Sequence, residues 1–359
     1  AARGRALSAM VTSPEVAERA GVSRSAVSRV FTPGASVSEK TADRVRRAAA
    51  ELGYRPNVLA RSLMTGRSRI IGLVVAYLDN HFYPTALEKL SNALQERGYH
   101  VMVFMASQTA DNIDEVLDEI LGYQVDGLVM ASAAISSELA ARCRDSAVPV
   151  VLCNRRKNNA LQPSVTSVNY RGGRIAAESL VSGGHERIAH IAGWQGASTA
   201  LDREAGFRDG LRRAGRSLFA RSVGDFDPGR ARDAARQMFG APARPDAVFV
   251  ANDYMAFLVM DVLRDEMGLR VPQDVSVVGF DDVPTAAWAS YDLTTVRQDT
   301  DAMVAETVRT MLAAVADPGS APESVVLDVR LVVRGSARTP QGGDADGAAI
   351  GGSVGNPDI

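Results

Sequence analysis

The sequence predicts an all-α N-terminal unit with a short hinge helix, followed by an α/β core of two doubly wound parallel-sheet lobes. Three observations support this fold class. Residues 11 to 56 contain three short helical patterns, each opened by a hydroxyl-bearing cap residue. From Arg69 onward, short apolar runs alternate with amphipathic stretches, which is typical of parallel strands joined by crossover helices. These strands fall into two series, which predicts two similar lobes.

The composition is that of an ordinary globular protein. Of the 359 residues, 46% are hydrophobic and 23% are charged, and no apolar run approaches the ~20 residues of a membrane span. Cys143 and Cys153 are too few for a disulfide framework, so we interpret them as buried small hydrophobes in a reducing compartment. No secretion pattern opens the sequence. We therefore expect a cytoplasmic, nucleoid-associated protein.

The net charge of −2 conceals a strong asymmetry. Residues 1 to 69 hold 13 basic and 5 acidic residues, a net charge of +8, whereas the remainder holds 27 and 37, a net charge of −10. A basic first unit on an acidic core suggests a polyanionic partner for the first unit alone.

The first helical pattern begins with Thr12-Ser13-Pro14-Glu15, which fits a capping box, and ends at Gly21. Ser23 caps a second helix, Arg24 to Val30, and Ser38 caps a third that ends at Gly53. The second helix has polar side chains on its exposed side that can bond base edges and phosphates: Arg24, Ser25, Ser28 and Arg29. An unrelated three-helix bundle is the alternative, but the tight turn between the first two helices favours a helix-turn-helix.

Four segments of this unit carry a close resemblance. They read Val16-Ala17-Glu18-Arg19-Ala20-Gly21-Val22-Ser23, Val27-Ser28-Arg29-Val30, Val37-Ser38-Glu39-Lys40-Thr41 and Leu52-Gly53-Tyr54-Arg55-Pro56-Asn57. In this order and spacing they resemble the LacI/GalR family of bacterial transcription regulators. The resemblance implies that Arg24, Ser25 and Arg29 lie in the major groove of operator DNA. It also implies that Thr12, Ser23 and Ser28 lie near the DNA backbone.

A short hinge follows the third helix. Asn57 can cap a helix of about two turns through Met64, which is marginal in water unless something packs on it. A plain linker is the alternative from the residues alone. The resemblance implies a hinge helix that forms on operator DNA, pairs with its twin and inserts Leu63 into the minor groove. The DNA-contacting hinge positions would be Asn57, Ala60, Leu63 and Met64.

The core contains two series of apolar runs. The predicted strands are Ile70 to Ala76, Val101 to Met105, Gly127 to Met130 and Val148 to Leu152, then Arg187 to Ala192, Ala247 to Val250 and Val275 to Val278, with a helix from Pro84 to Arg97. The expected domains are 11–56 (helix-turn-helix), 57–68 (hinge helix and linker), 69–338 (core) and 339–359 (disordered Gly- and Asp-rich tail). Lobe 1 would comprise 69–167 and 298–326, and lobe 2 would comprise 168–297 and 327–338.

Polar and aromatic residues follow several predicted strands, where ligands bind in such sheets. Asn154, Asn252-Asp253 and Asp281 come directly after strands, Phe82-Tyr83 follow the first strand, and Arg203 opens a helix. This mixture suits a sugar-like ligand. Each residue has a plainer alternative: Asp281 could cap a turn, Arg203 could be a surface charge, and Phe82 and Tyr83 could be core residues.

The core is also similar to the family's effector-binding core, which is itself like periplasmic sugar-binding proteins. The run Leu293-Thr294-Thr295-Val296-Arg297-Gln298 belongs to that resemblance. It implies nine effector-binding positions in the cleft between the lobes: Phe82, Tyr83, Asn154, Thr199, Arg203, Phe226, Asn252, Asp281 and Gln298.

No catalytic motif emerges, since the sequence has no P-loop, GxSxG or HExxH, and its four histidines lack metal-ligand spacing. We therefore expect no enzyme, no metal and no cofactor. We therefore expect a transcriptional regulator, more precisely a repressor, that binds a near-palindromic operator as a homodimer. A small effector, by default a sugar, would control it as inducer or corepressor. A sugar-transport protein would lack the basic unit, and an enzyme would need a nucleophile–base pair or a metal set.

Overall fold

The computed structural model describes residues 11–32, 34–55, 67–106, 113–132, 137–157, 162–319 and 323–338. The chain divides between Ser68 and Arg69 into two compact units. The predicted hinge residues Asn57, Ala60, Leu63 and Met64 and the tail from 339 to 359 lie outside the described residues. No helix in the described ranges is long and apolar enough to cross a membrane.

The first unit contains the three predicted helices. They are α1 (Ser13–Ala20), α2 (Arg24–Val30) and α3 (Glu39–Leu52). Ser23 and Ser38 accept hydrogen bonds from the first-turn backbone of α2 and α3, as their sequence pattern predicts. Val16, Val27 and Val45, one from each helix, are fully buried and form the centre of this unit's core. Tertiary packing of apolar faces, rather than helix propensity alone, holds such short helices together.

The turn between α1 and α2 depends on Gly21 and Arg44. Gly21 has a φ of +61°, a left-handed conformation that glycine adopts without strain. The Arg44 guanidinium donates to the carbonyl oxygens of Ala20 and Gly21. A Cβ atom at Gly21 would lie 2.8 Å from Arg44 Nη2. Arg44 therefore fixes the turn instead of projecting freely from the basic α3.

The second unit begins with a first series of elements. They are β1 (Ile70–Val75), α4 (Phe82–Gln95), β2 (His100–Met105), α5 (Ile113–Gly122), β3 (Gly127–Ala131), α6 (Ser137–Asp145), β4 (Val150–Cys153) and β5 (Ser164–Ser167). The second series is α7 (Asn169–Ser182), β6 (Ile188–Ala192), α8 (Ser198–Arg213), β7 (Ala220–Val223), α9 (Pro228–Gly240), β8 (Ala247–Val250), α10 (Asp253–Asp261), β9 (Ser276–Asp281) and β10 (Thr294–Gln298). The chain then adds α11 (Thr300–Ala316), β11 (Val325–Leu327) and β12 (Val329–Val332).

The two sheets repeat one strand order. The first runs β11-β5-β4-β3-β1-β2 and the second runs β12-β10-β9-β8-β6-β7. Each is a doubly wound sheet in which the order reverses beside its first strand, and the carboxyl ends of such strands form ligand crevices. The central strands β1, β3, β8 and β9 are buried along their whole length. The two lobes therefore present similar carboxyl-end edges, as the two apolar series predicted.

One strand departs from the expected parallel arrangement. Among the strands of the described residues, all pairings are parallel except that of β12 with β10, which is antiparallel. Only Asp328 separates β11 in the first sheet from β12 in the second. The chain thus passes directly between lobes here, with no crossover helix to restore the strand direction.

Some boundaries differ from the sequence expectations. Helix α4 begins at Phe82, two residues before the predicted start at Pro84, because Asn80 Oδ1 accepts a hydrogen bond from the Phe82 backbone N–H. A proline in the first turn removes no helical bond, so Pro84 is compatible with this earlier start. Helix α8 begins at Ser198, so Arg203 lies in its second turn and does not open it.

Candidate nucleic-acid interface and ligand site

Helix α2 presents one apolar and one polar face. Val27 is buried, while the four polar residues of the sequence prediction are all exposed: Arg24, Ser25, Ser28 and Arg29. A seven-residue helix with its N-terminal side chains in solvent has the dimensions of an element that enters the major groove.

The basic residues of the first unit fall into two groups. Arg19 pairs with Glu51 at 2.6 Å, Arg46 pairs with Asp43 at 3.6 Å, and Arg44 bonds the turn. By contrast, no ion pair within residues 11–32 and 34–55 involves Arg24 or Arg29. Arg24 and Arg29 on α2 are therefore free to meet an anionic partner, as are Lys40 and Arg47 on α3.

The predicted backbone-contacting hydroxyls have local roles as well. Ser23 Oγ accepts a hydrogen bond from the Ala26 backbone N–H at 3.3 Å and lies 2.9 Å from Ser25 Oγ. The Thr12 backbone N–H and hydroxyl both donate to Glu15, at 2.6 and 2.8 Å, and this lowers the pKa of Glu15. A phosphate that accepts from Thr12 would have to replace the Glu15 carboxylate as acceptor.

In the second unit, Arg203 is the centre of the ligand site. Its side chain is 2% exposed, which excludes the interpretation as a surface charge. Its Nε donates to Asn169 Oδ1 at 2.8 Å, and its Nη1 donates to the Ala251 carbonyl at 2.6 Å. The guanidinium carbon lies 3.6 Å from the centre of the Phe280 ring, a cation–π contact. The guanidinium is thereby fixed in one plane at the carboxyl ends of β8 and β9.

Asp281 ends β9 and faces this guanidinium. Its Oδ1 lies 3.4 Å from Arg203 Nη2 and accepts a hydrogen bond from Gln298 Nε2 at 2.8 Å. Asn80 also bonds to this carboxyl group from the first lobe. The backbone N–H of Val283, in the turn that follows, donates to Asp253. Asp281 therefore pairs with Arg203, and it is Asp253 that accepts the backbone hydrogen bond from the turn. The alternative interpretation of Asp281 as a turn cap is wrong.

Asp253 and Asp281 form a buried carboxyl pair. Burial and the nearby charge of Asp281 raise the pKa of Asp253 to about 7. Burial likewise raises the pKa of Asp281 to about 6, although Arg203 and Gln298 favour its charged form. Asp253 is held behind the ion pair by hydrogen bonds from Val283 N–H and the Thr295 hydroxyl. The site therefore contains two acidic groups that resist being charged together.

Phe82 and Tyr83, two aromatic residues of the candidate ligand site, belong to the first lobe. Phe82 and Tyr83 are both buried in the first turn of α4, with ring centroids 5.3 Å apart in an edge-to-face arrangement. Tyr77, which follows β1, contacts Tyr83 in the same manner at 5.2 Å. Tyr83 interacts electrostatically with Arg203, so these rings reach the ion pair. The core and cleft interpretations of Phe82 and Tyr83 are therefore compatible.

Three predicted site residues hold buried polar atoms without partners. Within the described part of the chain, Asn154 Oδ1, Asn252 Nδ2 and Gln298 Oε1 have no hydrogen-bond partner. Buried polar atoms are nearly always bonded, so such atoms need an explanation. Two acceptors and one donor at the carboxyl ends of β4, β8 and β10 are what a ligand with several hydroxyl groups would satisfy.

Thr199 and Phe226 are two further effector-binding residues of the sequence prediction. Thr199 is buried on α8, four residues before Arg203 and thus on the same helix face. Phe226 adopts a left-handed φ of +58°, and its ring covers Gly193, where a Cβ atom would lie 2.2 Å from it. An ion pair and a hydrogen bond join Arg203, Asp281 and Gln298 into one group, whereas no hydrogen bond among the described residues joins Asn154, Thr199, Phe226 or Asn252 to it.

Four residues of the site were not among the sequence predictions: Tyr77, Asn80, Arg155 and Asn169. Asp253 was noted there as a polar residue that follows a strand, but it was not among the nine effector-binding positions. Tyr77 and Arg155 also follow strands, so the position that pointed to Asn154 and Asn252 points to them as well. Asn169 opens α7 and reaches Arg203 from another element, for which the sequence contains no signal.

Comparisons with known proteins agree with this geometry. Residues 14–57 match the family of bacterial regulatory proteins, lacI family, and residues 177–337 match the periplasmic binding protein-like domain. The chain is 32% identical over 333 residues to the ribose operon repressor of Escherichia coli (strain K12), which covers 91% of this chain and 100% of that protein.

Two solved structures are similar over nearly the whole chain. One is the complex of the transcriptional regulator CelR with cellobiose, at 33% identity and a TM-score of 0.69, covering 91% of this chain and 100% of that one. The other is the lac repressor dimer bound to operator and the anti-inducer ONPF, at 30% identity and a TM-score of 0.81, covering 91% and 99%.

Proposed function

Because this chain belongs to the lacI family of bacterial regulatory proteins, we propose that it represses transcription as a homodimer on a near-palindromic operator, under the control of a sugar or sugar derivative. Like the repressors to which it is similar, it is an effector-controlled DNA-binding regulator and not an enzyme. The proposal rests on the presence of two features in one chain. Helix α2 is exposed and cationic, and the second unit contains a buried site whose polar atoms lack hydrogen-bond partners among the described residues.

For DNA recognition, we assign base contacts to Arg24, Ser25 and Arg29. Thr12, Ser23 and Ser28 would contact the phosphate backbone. Two exposed guanidinium groups without ion pairs can reach base edges without first breaking an internal contact. The hinge contacts proposed for Asn57, Ala60, Leu63 and Met64 rest on the family pattern of the sequence.

The effector site would comprise the nine cleft residues of the sequence prediction. Cellobiose is the ligand in the CelR complex, which makes a sugar the first candidate here. Arg203 and Asp281 would bind hydroxyls as a charged donor and acceptor, while Asn154, Asn252 and Gln298 supply the atoms that now lack partners. A bound ligand would bias the lobes by its difference in affinity between the two states of the protein.

Arg29→Ala tests the DNA assignment. Loss of a base contact should weaken binding to the selected operator by about 1–3 kcal/mol more than it weakens binding to random duplex. Gel-shift titration at fixed salt measures both affinities, since salt alone changes them strongly. Arg47 is exposed on α3, and Arg47→Ala removes an equal charge. This variant should weaken binding to the operator and to the random duplex by the same factor. Equal loss in the two variants would contradict the recognition role of α2.

Arg203→Lys tests the ligand site separately. The single ammonium cannot replace the planar fork that meets Asn169, Ala251 and Asp281, so a sugar response should be lost. The measurement is operator binding with and without the sugar that stabilises the wild type in a thermal-shift series containing cellobiose and ribose. Operator binding without sugar should persist. A normal sugar response in this variant would overturn the site.

A further inference from the structure

Arg155 is a second buried arginine of the cleft. It follows β4 next to Asn154, and its side chain is 7% exposed. Its Nη1 donates to the Ser132 carbonyl, its Nη2 lies 3.4 Å from Tyr77 Oη, and its guanidinium carbon lies 5.5 Å from the Trp194 ring centre. Each of these partners is neutral.

The charge of Arg155 has no counter-ion within the described ranges. Arg203 has Asp281 at 3.4 Å, whereas no described carboxylate lies within ion-pair distance of Arg155. Buried charges in proteins are almost always paired, because removal from water strongly disfavours an isolated ion. An anion from outside the chain would supply what is missing.

One edge of the Arg155 guanidinium group is available to a ligand. Its Nε has no hydrogen-bond partner among the described atoms, and Nη2 has only the long contact to Tyr77. Nε and Nη2 form one edge of the guanidinium plane, and two parallel donors on one edge match a carboxylate or phosphate group. This edge is therefore suited to an oxyanion.

Arg155 belongs to the ligand site already described. Tyr77 contacts both Arg155 and the Tyr83 ring, and it interacts electrostatically with Asp281. Asn154, the preceding residue, holds one of the unpartnered atoms. Two guanidinium groups thus face a site whose carboxyl groups, Asp253 and Asp281, disfavour being charged together. The site has an excess of positive charge.

We propose that the effector is an anionic sugar derivative whose carboxylate or phosphate binds the Nε–Nη2 edge of Arg155. This inference rests on the proposed effector site and narrows its ligand class. The hydroxyls of the same molecule would reach Asn154, Asn252 and Gln298. Sugar acids and sugar phosphates share the required chemistry, and the experiment distinguishes them.

The test compares matched ligands on the full chain. Glucose, gluconate and glucose 6-phosphate form one series, and ribose and ribose 5-phosphate form another, each measured by thermal shift and calorimetric titration at constant ionic strength. At least one anion should raise the Tm more than its neutral parent at equal concentration, because a ligand that binds only the native state stabilises it. Neutral parents that bind as tightly as their anions, or no binding by any anion, would overturn the proposal.

Arg155→Gln assigns the effect to this residue. Its affinity for the preferred anion should fall roughly tenfold or more, the scale of a lost charged hydrogen bond, while the neutral parent binds as before. Arg216→Gln, an exposed residue after α8, removes an equal charge and should bind both ligands normally. Unchanged anion affinity in Arg155→Gln would sink the proposal. Arg155→Lys, which keeps the charge and loses the fork, should retain the anion preference more weakly, and loss of that preference would contradict it.

A ligand-free measurement separates charge from structure. If Arg155 is an unmatched buried cation, Arg155→Gln should raise the Tm of the free protein. A lowered Tm would show a structural role and contradict the inference. Neither result affects the proposed function, because operator binding and the Arg203-dependent response to a neutral sugar are measured separately.

Discussion

Asn252 shows how local structure positions an atom of the proposed effector site. Its Oδ1 caps α10 by accepting a hydrogen bond from the Met255 backbone N–H at 3.0 Å, which fixes the side-chain rotamer. The other amide atom, Nδ2, then points from a defined position without a partner among the described residues. Gln298 behaves similarly, since Nε2 bonds Asp281 and Oε1 remains unpartnered. Preorganised atoms of this kind lose little freedom when a ligand binds.

Asp253→Asn should change how stability depends on pH. The folded-state pKa of Asp253 is raised above its unfolded value, so the stability it contributes is full below pH about 4 and is lost as the pH rises to about 7. Asparagine cannot ionise, yet it can accept from Val283 N–H and donate to the Thr295 hydroxyl. Relative to wild type, the variant should gain on the order of 2–4 kcal/mol between pH 4 and 7.

Urea unfolding at several pH values measures this difference. Contributions from groups outside the Asp253–Asp281 pair, including His185 and His190, whose pKa values burial lowers, are common to both proteins and cancel. Removal of the Asp253 charge also favours the charged form of Asp281, which acts in the same direction as the expected gain. A constant difference between Asp253→Asn and wild type across this range would mean that the pKa of Asp253 is not raised in the folded protein.

At the scale of elements, α7 and α8 pack with their backbones in direct proximity. A Cβ atom at Gly173 of α7 would lie 2.0 Å from the Arg203 carbonyl oxygen, and one at Gly206 of α8 would lie 1.8 Å from the Tyr170 carbonyl oxygen. These glycines therefore set the separation of the two helices. Since Arg203 stands on α8 and bonds Asn169 on α7, the same packing fixes the ligand site.

Gly173→Ala should destabilise the core by about 1–3 kcal/mol or more, because backbone atoms must move to admit the methyl group. The displaced backbone is that of Arg203, so sugar affinity should fall as well. Equilibrium urea unfolding and ligand titration measure the two effects. Gly240→Ala at the end of α9 meets only Met267 Cε at 3.8 Å, and there the helical preference for alanine should leave stability equal or slightly higher. Tolerance of both substitutions would refute the close packing.

The sequence predicts the helices and strands better than it predicts the polar contacts of the site. Apolar runs located β1, β3 and β8, which are buried on both faces. The short strands β5 and β7 were not predicted. Ser164–Ser167 and Ala220–Val223 each mix polar and apolar residues, and strands of this kind are too short to show a clear hydrophobic period. In the site, the positions after strands were informative because parallel topology gathers them. Asn169 was not predictable, because its contact with Arg203 depends on tertiary packing.

At the scale of the whole second unit, side chains join the two lobes at the mouth of the cleft. Arg156 Nη2 bonds both carboxylate oxygens of Asp202, at 2.9 and 3.0 Å, and His81 Nδ1 lies 2.8 Å from Thr285 Oγ1. These contacts link residues that follow the first sheet's strands to elements of the second. Apolar side chains of both lobes also belong to one hydrophobic cluster. A ligand that adds contacts to both lobes can shift their relative arrangement if it binds one arrangement more tightly than the other.

The dimer that we propose needs a surface, and the edge strand β2 offers an apolar one. Val103 and Met105 alternate along β2 and are 41% and 49% exposed. Apolar side chains on an unpaired sheet edge favour association with another chain. The similar lac repressor structure is itself a dimer on its operator. We therefore expect a second copy of the chain to cover this edge.

Met105→Asp should shift the protein towards monomer, because an aspartate carboxylate would be buried against the partner without a counter-ion. Sedimentation velocity measures the change in association. Operator affinity should fall by about 10²-fold or more, since each unit would bind its half-site without the effective concentration provided by its twin. Val326→Asp provides the matched control: Val326 is 59% exposed on β11, the opposite edge of the same sheet, and its substitution should leave the dimer intact. If Met105→Asp remains dimeric, or if Val326→Asp dissociates equally, the dimer forms through another surface and β2 is not its interface.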